Sequence, residues 1–435
     1  MRSRTWIHIR RTWAATALAA GLAAVFLSPG CSQSGPGPGG PGPSGMVRIE
    51  REQITFGPKN HFFGYIGHVG TVPWSQSGRY IVALRTDFVD RMPDPDDIAE
   101  IILLDTQDSY EIRVVDATRG WNVQQGTMLY WNPRDPENQF FFNDRDPDTG
   151  KVFCVLYDIA EGRRVREYRF EDTPVGNGGV TFDGRHFAGI NYARMARLRL
   201  VTGYPGAWDW TEGMAAPDDD GVFLVDVATG EKELMVSFRE LAEAVRRARP
   251  EIDSMPLFIN HTLWSRTGER LFFFARANFG RPGRLNASFT IARDGTDLRQ
   301  QETHIGGHPE WDAGSRMIGS IARRQAVYDV DSQKVVNLIG DSELFPDPEG
   351  DIALSPDLEW LANGYKQNGE LHYVIHNRRT GMTYRAGGYD LFGRVSGNLR
   401  CDPAPRWNRA GDTLLLPGMT RDGTRQMFIL RLPGA

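Results

Sequence analysis

One strand–turn–strand pattern returns seven times along this chain, and a repeat of that size leaves few folds open. The segments begin W-S-Q-S-G-R-Y-I-V-A-L at Trp74, Y-W-N-P-R-D-P-E-N-Q-F-F-F around Trp131 and V-T-F-D-G-R-H-F-A-G-I at Val180. They continue as W-S-R-T-G-E-R-L-F-F-F at Trp264, W-D-A-G-S-R-M-I-G-S at Trp311, L-S-P-D-L-E-W-L-A-N-G at Leu354 and W-N-R-A-G-D-T-L-L-L at Trp407. Each joins a large apolar residue to a polar turn and then to an apolar strand. A second series keeps step with the first: I-L-L-D-T, V-L-Y-D-I, F-L-V-D-V-A-T-G, F-T-I-A-R-D-G-T, A-V-Y-D-V, Y-V-I-H-N-R-R-T-G and F-I-L-R-L, as outer hairpins would.

Successive landmarks of the first series lie 57, 49, 84, 47, 43 and 53 residues apart. A four-stranded blade takes about 40–50 residues, so the period predicts an all-β, seven-bladed β-propeller. A jelly roll or sandwich does not repeat a whole hairpin pair in this way. The longest interval predicts one helical insertion at about 191–260. Its helix is S-F-R-E-L-A-E-A-V-R-R-A-R, where Phe238, Leu241, Ala242 and Val245 recur at helical spacing and Ser237 with Glu240 suits a capping box. Closure of the ring is expected to use V-R-I-E-R-E-Q-I-T-F, which alternates over 47–56.

Ahead of the repeat, Arg2, Arg4, Arg10 and Arg11 precede an apolar run at 13–27 that is too short to span a bilayer. This predicts a signal peptide over 1–30. The sequence L-S-P-G-C, followed by a Gly/Pro/Ser tether over 31–45, resembles a bacterial lipoprotein lipobox and makes Cys31 the expected lipidation site. An ordinary signal with an incidental cysteine is the alternative. The propeller then covers 46–435, exported to the cell envelope and anchored to a membrane on its periplasmic or outer side. Cys154 and Cys401, far apart in sequence, read as small buried residues. The chain carries 50 basic and 55 acidic residues, and a net charge of −5 argues against a nucleic-acid surface. A monomer is expected.

Equivalent positions of successive blades converge on a central channel. Three residues before each landmark stand Thr71, Met128, Asn177, His261, His308, Asp351 and Ala404. Three consecutive blades thus offer His, His and Asp at one position, suited to acid–base chemistry or ligation. The plainer alternative has each histidine satisfying a turn carbonyl at a blade junction. A second polar group holds Asn60, His61, Tyr65, Gln125, Asn143, Tyr192, Arg194, Arg199 and Tyr204. Arginines among tyrosines suit a carboxylated or sulfated sugar, which a guanidinium grips bidentately. A strand with a basic exposed face would look the same. D-R-D-P-D-T-G at 144–150 lacks the spacing of a calcium loop and reads as a β-turn, and P-D-D-D-G at 217–221 reads as a solvated turn.

The repeat resembles TolB-type and WD40-like propellers of exported bacterial proteins. Within that group, N-H-F-F-G-Y, Q-Q-G-T-M-L-Y-W, F-N-D-R-D, I-N-H-T-L-W-S, G-G-H-P-E-W-D and P-R-W-N-R-A-G-D resemble the oligogalacturonate-lyase and ulvan-lyase class of polysaccharide lyases. That resemblance implies β-elimination from a uronate-containing glycan. It places acid and base among His61, Tyr192, His261 and His308, with Arg194 or Arg199 as carboxylate partner. Where related blades read H-P, this chain has Asp351-Ile352 and Ala404-Pro405, and near the last of these regions only Asp402 is offered as a metal ligand. No cofactor is assigned, and a divalent metal is left open. The leading expectation is a lyase acting on an acidic polysaccharide or oligosaccharide. The alternative is a non-catalytic propeller that binds glycan or a protein partner in the envelope, and an accessory propeller of a peptidase ranks third.

Overall fold

The computed structural model describes residues 47–64 and 71–433. The expected signal peptide, Cys31, the tether and Tyr65 lie outside the described residues. Among the described residues, strands form seven sheets in which sequence neighbours pair antiparallel. They cover 60–118, 130–168, 176–237, 258–300, 306–339, 351–390 and 406–431, numbered here as blades 1 to 7. The protein is a seven-bladed β-propeller. Blade 7 takes its outermost strand from Glu52–Gln53, antiparallel, with Glu52 opposite Ile429. Val47–Arg48 adds a fifth, parallel strand to blade 6. The alternating N-terminal segment therefore closes the ring.

The landmark tryptophans join the blades to one another. Trp131 Nε1 donates to Pro73 O at 2.7 Å, and Trp264 Nε1 to Gly179 O at 3.0 Å. Trp311 Nε1 donates to Leu263 O at 2.7 Å, and Trp407 Nε1 to Ala353 O at 3.0 Å. Each acceptor is the residue just before the landmark of the preceding blade. A buried indole N–H needs an acceptor, so the residue that marks a blade in the sequence also latches it to its neighbour. Val180 and Leu354 carry no indole; there the Leu354 N–H donates to Glu310 Oε2 of the preceding blade at 2.8 Å, and blade 3 is tied to blade 2 by Asn177 N donating to Asn143 Oδ1 at 2.7 Å.

Four antiparallel strands carry the chain across the ring and back twice. Connections from second to third strand, and from blade to blade, therefore share one face, termed upper; the other turns lie on the lower face. The interval 191–260, expected as one insertion, holds two excursions, both on the upper face. One, at 191–220, contains helix α1 (Tyr192–Leu198); the other, at 238–257, contains α2 (Phe238–Arg246). The blade 3 strands Gly221–Asp226 and Lys232–Ser237 separate them. In α2 the capping box of Ser237 and Glu240 is formed, and Phe238, Leu241, Ala242 and Val245 are buried. The turn at 217–221 departs from its solvated reading. Asp218 and Asp219 are exposed, but Asp220 is buried and accepts from Asn191 Nδ2 at 2.9 Å and Gly221 N at 2.8 Å. With Thr211 Oγ1 at 3.2 Å as a third donor, that carboxyl can sit beneath the first excursion.

Candidate functional site at the upper mouth of the channel

The innermost strands run from the upper to the lower face, so positions three before each landmark lie toward the upper mouth. Four of these carry left-handed backbone without being glycine: Met128 (φ 57°), His261 (57°), His308 (50°) and Ala404 (26°). The pairing slips at the same places, between Asn260 and Leu263 in blade 4 and between Gly306 and Glu310 in blade 5. Bulges of this kind re-aim a side chain, and left-handed backbone disfavours an L-residue by about 1–2 kcal/mol. Strain repeated in register across blades marks the mouth as a place where side-chain direction matters.

His261, His308 and Asp351 are brought together there. The His261 and His308 rings lie 5.0 Å apart, tilted by 43°. His308 Nδ1 is hydrogen-bonded to Asp351 Oδ1, while Asp351 Oδ2 accepts from Ala404 N at 2.9 Å. Register residues of blades 4 to 7 thus form one connected row. Burial pushes the Asp351 carboxyl up, but His308 and the Ala404 N–H outweigh it and hold the group below the usual carboxylate range. An ionised carboxylate only accepts, so the hydrogen of this bond sits on His308 Nδ1 and fixes the ring's orientation at the mouth. Among the described residues no group of three His, Cys, Asp or Glu is arranged to hold a metal ion.

The other expected residues divide by what surrounds them. Gln125 and Tyr192 meet His261 around a void of about 10 Å³, room for one water at most. Tyr192 is buried, donates its hydroxyl to Asn177 O at 3.0 Å and stacks on Tyr204 at 4.4 Å. Tyr204 in turn accepts from Asn143 Nδ2 at 2.9 Å. Burial pushes both phenols well up, and the two rings form a hydrogen-bonded layer behind His261. His61 lies elsewhere, at the seam of blades 1 and 7, with Nδ1 2.9 Å from Gln426 Oε1; burial pushes its pKa down. Its neighbour Asn60 accepts from Arg425 N at 2.9 Å across the same seam.

Arg194 is corrected as a carboxylate partner. It is fully buried, and all five of its donors are engaged. Nε reaches Leu257 O at 2.5 Å, and Nη1 reaches Thr211 O at 3.4 Å and Thr211 Oγ1 at 2.8 Å. Nη2 reaches Met214 O at 3.0 Å and Ala215 O at 2.6 Å. It ties the two excursions together, and no donor remains for a ligand.

Arg199, by contrast, belongs to a group that sequence reasoning missed. Its guanidinium lies 4.0 Å from the centre of Phe279, as does that of Arg284, with Arg276 at 5.1 Å. Arg276 also lies 4.5 Å from Phe274, whose ring meets His261 edge-on at 5.9 Å. A path of aromatic and cationic contacts therefore runs from Phe279 to the His261–His308–Asp351 row. The signal was available: R-A-N-F-G-R-P-G-R, from Arg276 to Arg284, gathers three arginines and a phenylalanine in the upper loop of blade 4.

No protein-family model matches the chain, and no curated protein matches it. Among solved structures it is similar to the β-propeller domain of Cps50 (Swd1) from Myceliophteria thermophila, at 14% identity and a TM-score of 0.46, covering 88% of this chain and 99% of that one. It is also similar to TolB from Acinetobacter baumannii, at 15% identity and a TM-score of 0.39, covering 81% of this chain and 80% of that one. Neither likeness carries an argument about function, and the sheet topology by itself establishes the seven-bladed β-propeller.

Proposed function

We propose that this protein is an envelope-associated propeller that binds an acidic glycan on its upper face. The observation that carries the reading is the gathering of Arg199, Arg276 and Arg284 around Phe279. Cation–π contact holds guanidiniums by their faces and concentrates positive charge around Phe279, where the exposed Arg284 is the one placed to grip a carboxylate and Arg276 Nε is held by Asn286 Oδ1 at 2.7 Å. The basic, apolar start of the sequence and the lipobox-like L-S-P-G-C support export and anchoring at Cys31. Calorimetric titration of the full-length chain with oligogalacturonate and with its methyl ester tests the reading. The acid is expected to bind and the neutral ester is not; equal affinity for both would sink it.

The His308–Asp351 pair favours a second reading, a lyase of the same ligand. His308 would take the proton next to the uronate carboxylate, the electron pair left behind would form a double bond in the sugar ring, and the glycosidic oxygen would leave as a hydroxyl after taking a proton from water. Growth of ultraviolet absorbance from the unsaturated uronate, lost in His308→Ala, would select this reading over binding alone.

A further inference from the structure

At the opposite, lower mouth of the channel lies a cavity of about 370 Å³, within the range of small-molecule pockets of roughly 300–1,000 Å³. Two rings of pseudo-equivalent positions build it. One residue before the landmarks come Tyr130, Glu310, Ala353 and Arg406; two residues after them come Gln76, Phe182, Arg266 and Arg409. Trp131, Val180, Leu354 and Trp407 supply apolar wall.

Arg266 and Arg409 are held alike. Arg266 Nε donates to Trp311 O at 3.1 Å, and Arg409 Nε donates to Trp74 O and Ser75 O at 3.1 Å each. In both cases a landmark carbonyl of the next blade fixes the base of the guanidinium. The terminal nitrogens make no hydrogen bond or salt bridge among the described residues. The two arginines belong to blades 4 and 7, three blades apart in a ring of seven, and so face the mouth from nearly opposite sides. Arg406 adds a third cation, against one carboxyl, Glu310, whose Oε2 accepts from Leu354 N at 2.8 Å. Arg406, Arg266 and Tyr130 face Glu310 from three other blades, and burial pushes its carboxyl up to about 7.

We propose that this lower cavity binds a small dicarboxylic acid with an apolar spacer, its two carboxylates met by Arg266 and Arg409 and its spacer lying against Trp131 and Trp407. A dianion matches the excess of cations over the single acid. Apolar walls between the clamps disfavour a polar linker, whose hydrogen bonds to water would be lost without replacement.

The test is a titration of the full-length chain with α,ω-alkanedioates from adipate to sebacate, followed by calorimetry and by tryptophan fluorescence. Octanoate and suberamide serve as controls for one carboxylate and for none. At least one dioate is expected to bind about tenfold more tightly than octanoate, with a fluorescence change from Trp131 or Trp407. Arg266→Gln and Arg409→Gln should each reduce that dioate to the level of the monoacid. Octanoate binding as tightly as every dioate, or no response to any dioate at millimolar concentration, would overturn the proposal on the wild-type chain alone, whatever the folding of the variants.

Discussion

Asp351 holds His308 through Nδ1 and, with its other oxygen, takes the backbone N–H of Ala404 at 2.9 Å, so one buried carboxylate joins three successive blades at the channel mouth. Its folded pKa lies below its unfolded value, so the stabilisation it gives is present above the ordinary carboxylate pKa and is lost as pH falls through the depressed one. Asp351→Ala should lower stability near neutral pH by about 3 kcal/mol, as loss of one partner of a buried pair does. The deficit should shrink on acidification below about pH 4. Urea unfolding across that range is the measurement, and a pH-independent deficit would contradict the assignment.

Arg194 and Arg284 should behave in opposite ways. Arg194→Met strands the carbonyls of Leu257 and Met214, and should destabilise the protein by roughly 3 kcal/mol or more. Glycan affinity of the molecules that remain folded should be unchanged. Arg284 is exposed, so Arg284→Gln should stay within about 0.5 kcal/mol of wild type in stability while weakening oligogalacturonate binding. Thermal melts paired with titrations separate the two roles.

Glu310 has its folded pKa raised to about 7, so the folded state holds a proton that the unfolded state releases. Stability from this group therefore falls as pH rises from the ordinary glutamate value to about 7. Glu310→Gln, which can still accept from Leu354 N, should stabilise the protein above that pH by roughly 1–3 kcal/mol and change little in acid. A variant less stable than wild type at alkaline pH would mean that Arg406 and Arg266 hold Glu310 ionised.

Anchoring at Cys31 predicts that Cys31→Ala moves the protein from the membrane fraction to the soluble fraction of the envelope. Unchanged partitioning would remove the lipid from the account.

The repeat made the propeller legible because four of its seven landmarks do two jobs at once. Trp131, Trp264, Trp311 and Trp407 end an innermost strand and latch to the blade before, so spacing in sequence carries spacing in the ring. The same register brought out His261, His308 and Asp351, whose proximity no local motif encodes. Counting one residue before the landmark, not three, would have found Tyr130, Glu310 and Arg406. Arg194 misled because burial by the two excursions is a tertiary fact. Alternating Arg and Tyr read the same whether they face a ligand or a wall of carbonyls. The single insertion misled for a simpler reason: short strands at 221–226 and 232–237 lie between two irregular stretches and lengthen one interval without breaking the period.

The central claim, that an acidic glycan occupies the upper face, is tested most directly by hydrogen–deuterium exchange on the full-length chain with and without saturating oligogalacturonate. The account predicts slowed exchange in the upper loop of blade 4 at 276–284 and in the excursion at 191–220, with the lower turns unchanged. Protection confined to the lower turns or the outer strands, with 276–284 unaffected, would contradict it.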